Sequence, residues 1–217
     1  MKIVHLSDTH GHHVTPFFEK QLRDIDADVV VHSGDFTYRS WGDAKRFLKW
    51  FASLDFKHKI VIPGNHDQFI ERLSKDNYAR KALIPTELHL LIDEEVVIEG
   101  VKFYGSPFTP AFNDWAFQLY GDEGKEHWAK IPDDTDVLIT HGPAKGVLDT
   151  ISQIENEPLG CPFLTERLTM LPQLKAHLFG HIHGGYGRKE VNGVLYLNSA
   201  ILNESYQVVN KPQVFEI

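Results

Sequence analysis

The chain is predicted to be an α/β protein whose strands alternate with helices early and pair as hairpins late. Short apolar runs at Ile3–Leu6, Val29–Val31 and Ile60–Ile62 are separated by segments of helical spacing, the pattern of βαβ units with a sheet covered on its faces. Two dipeptides, Glu99-Gly100 and Asn192-Gly193, each lie between strand-like runs and mark hairpins. Each of the three early runs ends in a polar or glycine-containing loop, where functional side chains of such sheets gather.

Taken in order, Ile3–Leu6 is the first strand. Phe18, Leu22 and Ile25 then recur at spacings of four and three, which places them on one helix face. After the strand at Val29–Val31, a second stripe runs through Ala44, Phe47, Leu48, Phe51 and Leu54, with Ser40 ahead of it as the N-cap. The strand at Ile60–Ile62 follows. A third helix is expected within Phe69–Leu83, stopped before Pro85, because the residue ahead of a proline is pushed out of helical geometry. Glu95–Ile98 and Val101–Tyr104 form a hairpin, and Asn113–Tyr120 and Lys125–Lys130 are expected to be short helices. Val137–Ile139 and His177–Phe179 are strands that end in Thr-His-Gly and Gly-His-Ile-His. Asn192-Gly193 joins Lys189–Val191 to Val194–Leu197, since this dipeptide tolerates the positive φ angles of a type I′ turn. There is no linker, repeat or low-complexity tract, so residues 1–217 are expected to form a single domain.

Composition narrows the class of function. A chain of 217 residues with 42% hydrophobic and 24% charged residues can build its own core without a disulfide scaffold. Cys161 is the only cysteine, so no internal disulfide or thiolate metal cluster can form, and a reducing, cytoplasmic setting is expected. The N-terminus turns polar at Ser7-Asp8, too soon for a signal peptide. No apolar run approaches the ~20 residues that span a bilayer, so no membrane partner is expected. A net charge of −8 without any Lys/Arg block argues against binding long nucleic acid. A small anionic substrate stays compatible with that charge if bound cations reverse the local field.

The chemistry is concentrated in five motifs, each after an apolar run: Asp8-Thr9-His10, Gly34-Asp35, Gly64-Asn65-His66-Asp67, His141-Gly142 and Gly180-His181-Ile182-His183. If their strands run parallel, the loops converge at one sheet edge. They then collect two carboxylates (Asp8, Asp35), an amide (Asn65) and four imidazoles (His10, His141, His181, His183), with His66 and Asp67 beside them. So many imidazoles and carboxylates together would repel or shift one another unless cations sat among them. Mixed nitrogen and oxygen donors without sulfur suit two divalent ions such as Mn, Fe, Zn, Ni or Co better than Mg or Ca.

In this order the motifs are the signature of the calcineurin-like metallophosphoesterase superfamily, which the chain resembles from Asp8 to His183. The surrounding residues, His32-Ser33-Gly34-Asp35-Phe36-Thr37, Phe103-Tyr104-Gly105-Ser106-Pro107 and Phe112-Asn113-Asp114-Trp115-Ala116-Phe117 among them, are similar to the metallophosphoesterase-domain-containing subgroup. The resemblance implies a two-sheet β-sandwich flanked by helices. It assigns one metal to Asp8, His10, Asp35 and His183, and the other to Asp35, Asn65, His141 and His181, with Asp35 bridging. It also implies a metal-dependent phosphodiesterase acting on small diesters, cyclic nucleotides among them, by in-line attack of a metal-bridging hydroxide, with His66 as general acid and Asp67 as its candidate orienting partner. A phosphomonoesterase or nucleotide pyrophosphatase using the same centre stays open, as does a non-catalytic scaffold, although every ligand position is kept. One departure is informative: related phosphoprotein phosphatases carry a second aspartate where this chain has Tyr38, which leaves the group that orients His66 unassigned and makes protein-phosphatase activity less attractive. Arg39 is a candidate phosphate contact or a solvated loop residue. His12, with His13, and Asn113, with Asp114 and Trp115, are candidates for the substrate wall. Asn198 and Ser199 are candidates for supporting the ligands from behind.

Overall fold

The structure is a computed structural model that describes residues 1–37, 40–151 and 157–217. The first part of the chain runs β1 (Lys2–Leu6), α1 (Pro16–Arg23), β2 (Val29–His32), α2 (Trp41–Ala52), β3 (His58–Val61), α3 (Gln68–Ser74), α4 (Asn77–Leu83) and β4 (His89–Leu90). It continues with β5 (Glu94–Ile98), β6 (Val101–Ser106), β7 (Thr109–Pro110), β8 (Gln118–Leu119), α5 (Glu123–Trp128) and β9 (Val137–Thr140). The last part is α6 (Pro162–Leu168), β10 (Ala176–Phe179), β11 (Gly187–Val191), β12 (Val194–Asn198) and β13 (Gln213–Glu216).

These strands form two main sheets. One has the order β13-β1-β2-β3-β4, the other β11-β12-β10-β9-β6-β5. Strands β1 to β4 are parallel, as are β6, β9, β10 and β12, whereas β13, β11 and β5 pair antiparallel at the edges. The side-chain alternation of each strand sorts its residues between layers. Ile3, Val29, Val31 and Ile60 point at Phe103, Val137, Ile139, Leu178 and Leu197 of the other sheet and make the middle core. Their neighbours Val4, Leu6, Val30 and Val61 point outward, against Phe18, Leu22, Phe47 and Phe51 of α1 and α2. On the far side, Leu138 and Phe179 pack against Trp128 and Leu164 of α5 and α6. The result is four layers: helices, sheet, sheet, helices. Strands buried on both faces need apolar residues throughout, which is why β2 and β9 read as unbroken runs rather than alternating ones.

Most local expectations hold, for visible reasons. The Ser40 side chain accepts the Asp43 N–H at 3.1 Å and caps α2. Asn192 and Gly193 have φ angles of 52° and 79°, as a type I′ hairpin requires. Three expectations are corrected. The helix within Phe69–Leu83 is two helices, because the Asp76 carboxylate accepts the N–H groups of Tyr78 and Ala79 at 3.0 Å each and starts α4 anew. Asn113–Tyr120 is not helical: the Ala116 N–H goes to the Asn65 carbonyl at 3.0 Å and the Phe117 N–H to Glu71 at 2.9 Å, so tertiary partners replace the helical ones. Nor do the five motif loops line one sheet edge; three follow β1, β2 and β3, while two follow β9 and β10 of the other sheet. The two edges are joined where Ser7 N–H donates to the Ser199 carbonyl at 2.9 Å and Ile201 N–H to the Ser7 carbonyl at 3.0 Å.

Candidate metal centre

Each motif places its side chain by bending the backbone just past a strand end. Asp8, His10, Asp35 and His181 all have positive φ, at 54°, 38°, 57° and 65°. For residues with a Cβ this is sparsely populated geometry, and four motif residues adopt it. Two motif glycines are dictated by the crowding that results. A Cβ on Gly64 would lie 2.3 Å from Asp35 Oδ1, and one on Gly180 would lie 2.0 Å from Asp8 Oδ2.

The expected donors do come together. Donor atoms of Asp8, His10 and His183 lie within 4.8 Å of one another, and the same holds for His10, Asp35 and His66 and for Asp35, His141 and His181. Asp35 Oδ2 is 3.6 Å from His10 Nε2, 3.4 Å from His141 Nε2 and 3.8 Å from His66 Nε2. Asn65 Oδ1 is 2.8 Å from His141 Nε2, so the amide also reaches the cluster. Two imidazoles are anchored from behind: His141 Nδ1–H donates to the Ser33 carbonyl at 2.9 Å and His183 Nδ1–H to the Asn203 carbonyl at 3.0 Å. Those anchors turn each Nε2 inward, the usual way a metal-binding histidine has its tautomer set.

Electrostatics within the cluster pull in opposite directions. Burial would raise the Asp8 carboxyl, but the adjacent His183 outweighs it and holds Asp8 well below the usual carboxylate range. Asp35 behaves likewise, with His141 as the dominant opposing partner. Burial disfavours a charged His141, yet the Asp35 carboxylate prevails and lifts it to about 9. His10 is pushed down to about 4 by burial, and His181 to about 4 by burial and by His141. Asp8 Oδ1 is buried, with no assigned hydrogen bond among the described residues and only the His183 Nε2 ion pair at 3.4 Å. A buried carboxylate oxygen left this way is costly, and a cation beside it, with neutral imidazoles around, removes the cost. The donor set fits a divalent metal centre.

Other candidates fall outside that cluster. Asp67 does not serve as a catalytic partner of His66: its Oδ2 accepts the N–H groups of Gly64, Asp35 and Phe36 at 2.7, 2.9 and 3.4 Å, and its Oδ1 accepts the Thr37 N–H and hydroxyl at 3.0 and 2.8 Å. It pins the Asp35 loop to the Asn65 loop instead. Burial and the Asp35 charge push this carboxyl up to about 7, while five donors favour its ionised form. His66 packs against the Trp115 ring at 4.0 Å between centroids and meets the His10 ring edge at 4.8 Å, so Trp115 is the substrate-wall candidate that reaches the centre. Asn113 is exposed, in a left-handed turn at φ 56°, and has no hydrogen bond to the cluster among the described residues. His12 sits in a one-turn 3-10 helix and likewise has no side-chain hydrogen bond to the cluster among the described residues, while His13 is buried against Phe47 and Trp50. Arg39 and Tyr38 lie outside the described residues. Asn198 and Ser199 do support the site: Asn198 Nδ2 donates to the Ile182 carbonyl at 2.8 Å, and the Ser199 hydroxyl meets His5 Nδ1 at 2.7 Å. Sequence reasoning missed Tyr206, whose ring lies 5.2 Å from those of both His10 and His183, and Asn203, which anchors His183. Neither belongs to a motif; only the turn-forming run Asn203-Glu204-Ser205 hints at a shaped loop there.

An αββα sandwich with a nitrogen and oxygen cluster where the strand ends of both sheets meet is the frame of a metallophosphoesterase. The family model described as calcineurin-like phosphoesterase matches residues 1–185, and the chain belongs to that family. Metallophosphoesterase domain-containing protein 1 of Homo sapiens is 35% identical over 211 residues, which cover 88% of this chain and 64% of that protein. This chain thus spans just under two thirds of that relative's length. A UPF0046 protein of Caenorhabditis elegans is 32% identical over 233 residues, covering 100% of this chain and 75% of the relative. Among solved structures, phosphopantetheinyl hydrolase of Mycobacterium tuberculosis superposes with a TM-score of 0.58 at 12% identity, over 94% of this chain and 90% of that one, a likeness of fold alone. No described helix is long and apolar enough to cross a membrane.

Proposed function

We propose that this chain hydrolyses small phosphodiesters, cyclic nucleotides among its candidate substrates, with the aid of two divalent cations. The observation that supports the reading is the place of Asp35, whose carboxylate groups with His10 and His66 on one side and with His141 and His181 on the other. Asp8, His10, Asp35 and His183 would hold one ion, and Asp35, Asn65, His141 and His181 the other. When bound, such a pair polarises phosphoryl oxygens and lowers the pKa of water toward neutrality.

The chain's own groups do the positioning. The Ser33 and Asn203 carbonyls keep His141 and His183 aimed inward. Asp67 holds the Asp35 and Asn65 loops in register through its five hydrogen bonds. His66 is fixed at its backbone, where its N–H donates to Asp35 Oδ1 at 2.8 Å, and the Trp115 ring limits its rotation. Its side chain keeps 14% exposure, so it can deliver a proton to a departing alkoxide and regain one from solvent. The preference for diesters rests on the likeness to the metallophosphoesterase-domain-containing relatives. It is tested by comparing the manganese-loaded protein on bis-p-nitrophenyl phosphate, p-nitrophenyl phosphate and 3′,5′-cyclic AMP. Faster turnover of the diesters is expected; a monoester preference overturns the substrate class, and bound metal without turnover of any ester overturns catalysis.

A further inference from the structure

A cleft of about 220 Å³ opens beside the candidate metal centre, lined by His181, Ile182, His183, Ile151, Glu204 and Tyr206. Its outer wall is the loop after β12, and Asn203 shapes that loop. The Asn203 side chain accepts the N–H groups of Ser205 and Gln207 at 3.0 and 2.9 Å, while its carbonyl accepts the Tyr206 N–H at 2.8 Å. The same carbonyl anchors His183 at 3.0 Å, so one residue couples a donor of the cluster to the cleft wall. Tyr206 is held at φ 57°, an unfavourable conformation for an aromatic residue, and its ring meets those of His10 and His183 edge-on. The Glu204 carboxylate lies so near the backbone after His183 that a Cβ on Gly184 would come within 2.6 Å of its Oε1.

We propose that this cleft receives one ester substituent of the substrate and selects short polar groups carrying hydroxyl or ammonium hydrogens, while turning away a second phosphate. This rests on the hydrolytic reading above and deepens it. The volume is below the ~300–1,000 Å³ of drug-sized sites, so the cleft suits a sugar or amino alcohol rather than a whole nucleoside. Ile151 and Ile182 supply apolar surface for the carbon skeleton, and Tyr206 a flat wall. Glu204 lines the cleft with a carboxylate that, when ionised, carries acceptor oxygens and no hydrogens of its own, which rewards O–H and N–H groups and repels an anion. A nucleotide pyrophosphate, whose second phosphate would have to enter beside Glu204, is the substrate this arrangement disfavours.

The test is a series of p-nitrophenyl phosphodiesters that differ only in the second substituent: 2-aminoethyl, 2-hydroxyethyl, ethyl and 2-phosphoethyl. In the manganese-loaded protein kcat/KM is expected to fall in that order, with about a tenfold gap between aminoethyl and ethyl, the size of one charge-assisted hydrogen bond. Glu204→Gln should bring the aminoethyl-to-ethyl ratio toward one, and Glu204→Lys should invert the aminoethyl-to-phosphoethyl ratio. A flat series in the unaltered chain, or the same order kept in both variants, overturns the proposal. Binding is read separately, by calorimetry with 2-aminoethylphosphonate and ethylphosphonate, which need no turnover. If no ester is hydrolysed but the aminophosphonate binds about tenfold tighter in a Glu204-dependent way, the cleft stands and the hydrolytic reading falls. Equal binding of the two phosphonates sinks the cleft whatever the activity.

Discussion

Two sets of histidines occupy adjacent layers of this molecule and behave in different ways. His5, His32 and His177 lie within β1, β2 and β10, while His10, His141, His181 and His183 lie in the loops that follow strands. Burial does not separate the sets, since His5, His177 and His141 are all fully shielded. Partners do. His5 meets the Ser33 hydroxyl at Nε2 (2.8 Å) and the Ser199 hydroxyl at Nδ1 (2.7 Å); His177 Nε2 meets the Thr140 hydroxyl at 2.7 Å. With hydroxyl partners, burial pushes both down to about 3, and they stay neutral. In the loops, His141 facing Asp35 is lifted to about 9 and His183 facing Asp8 is raised, whereas burial still holds His10 and His181 down at about 4. A buried histidine bonded to hydroxyls is a structural strut, whereas one aimed at a carboxylate is part of a charged cluster that a cation can enter.

That contrast can be broken at both ends. The largest effect is expected from Asp35→Asn, which removes the carboxylate shared by two clusters: bound manganese should fall by elemental analysis and kcat/KM by about 10⁴-fold, the several kcal/mol that metal charge contributes. Unchanged metal content would show that Asp35 does not lie between the ions. His66→Asn should lower kcat toward the lower end of the ~10²–10⁴-fold range of a general acid while both metals are retained. Loss of a metal in that variant would instead make His66 a ligand, as its place in one of the three donor clusters allows.

Smaller effects are expected from the layer behind the ligands. Asp67→Asn should destabilise the metal-free protein by about 1.5–3 kcal/mol in urea unfolding, because an amide cannot accept all five donors and its NH₂ meets N–H groups. For His177 the prediction concerns pH. Its folded pKa of about 3 lies below the unfolded value of 6.5, so the unfolded chain binds the extra proton throughout that window. Stability of the metal-free protein therefore falls as pH drops from 6.5 toward 3, by about 1.4 kcal/mol per unit from this residue. His177→Gln should flatten the slope by about that amount in urea titrations at pH 5.5, 5 and 4.5. An unchanged slope would mean that the imidazole is not held neutral.

Much of the site was legible because each candidate donor follows an apolar run and carries chemistry that few other arrangements require. The spacing of Gly180-His181-Ile182-His183 and the order of the five motifs pointed to Asp8, His10, Asp35, His141, His181 and His183, while His66, expected as a general acid, also falls in one donor group. Asp67 misled because adjacency in sequence to His66 suggested partnership, whereas its carboxylate turns back to the loop of Asp35. Asn203, Glu204 and Tyr206 were invisible because their roles depend on where a turn lands. The single helix expected over Phe69–Leu83 failed on a local cue, the capping capacity of Asp76, that apolar periodicity outweighed.

The amino-acid order alone determined the alternation of strands and helices, the hairpin at Asn192-Gly193 and the donor inventory, since these follow from periodicity, turn chemistry and residue type within a few positions. Only the tertiary structure decided that the donors come from the ends of two sheets rather than one, joined through Ser7, Ser199 and Ile201, and that Asn113–Tyr120 is not a helix but a loop held by Glu71 and Asn65 that runs into β8. Both outcomes depend on hydrogen bonds between residues far apart in the chain, and no local pattern encodes the partner of a backbone N–H that lies on another strand end.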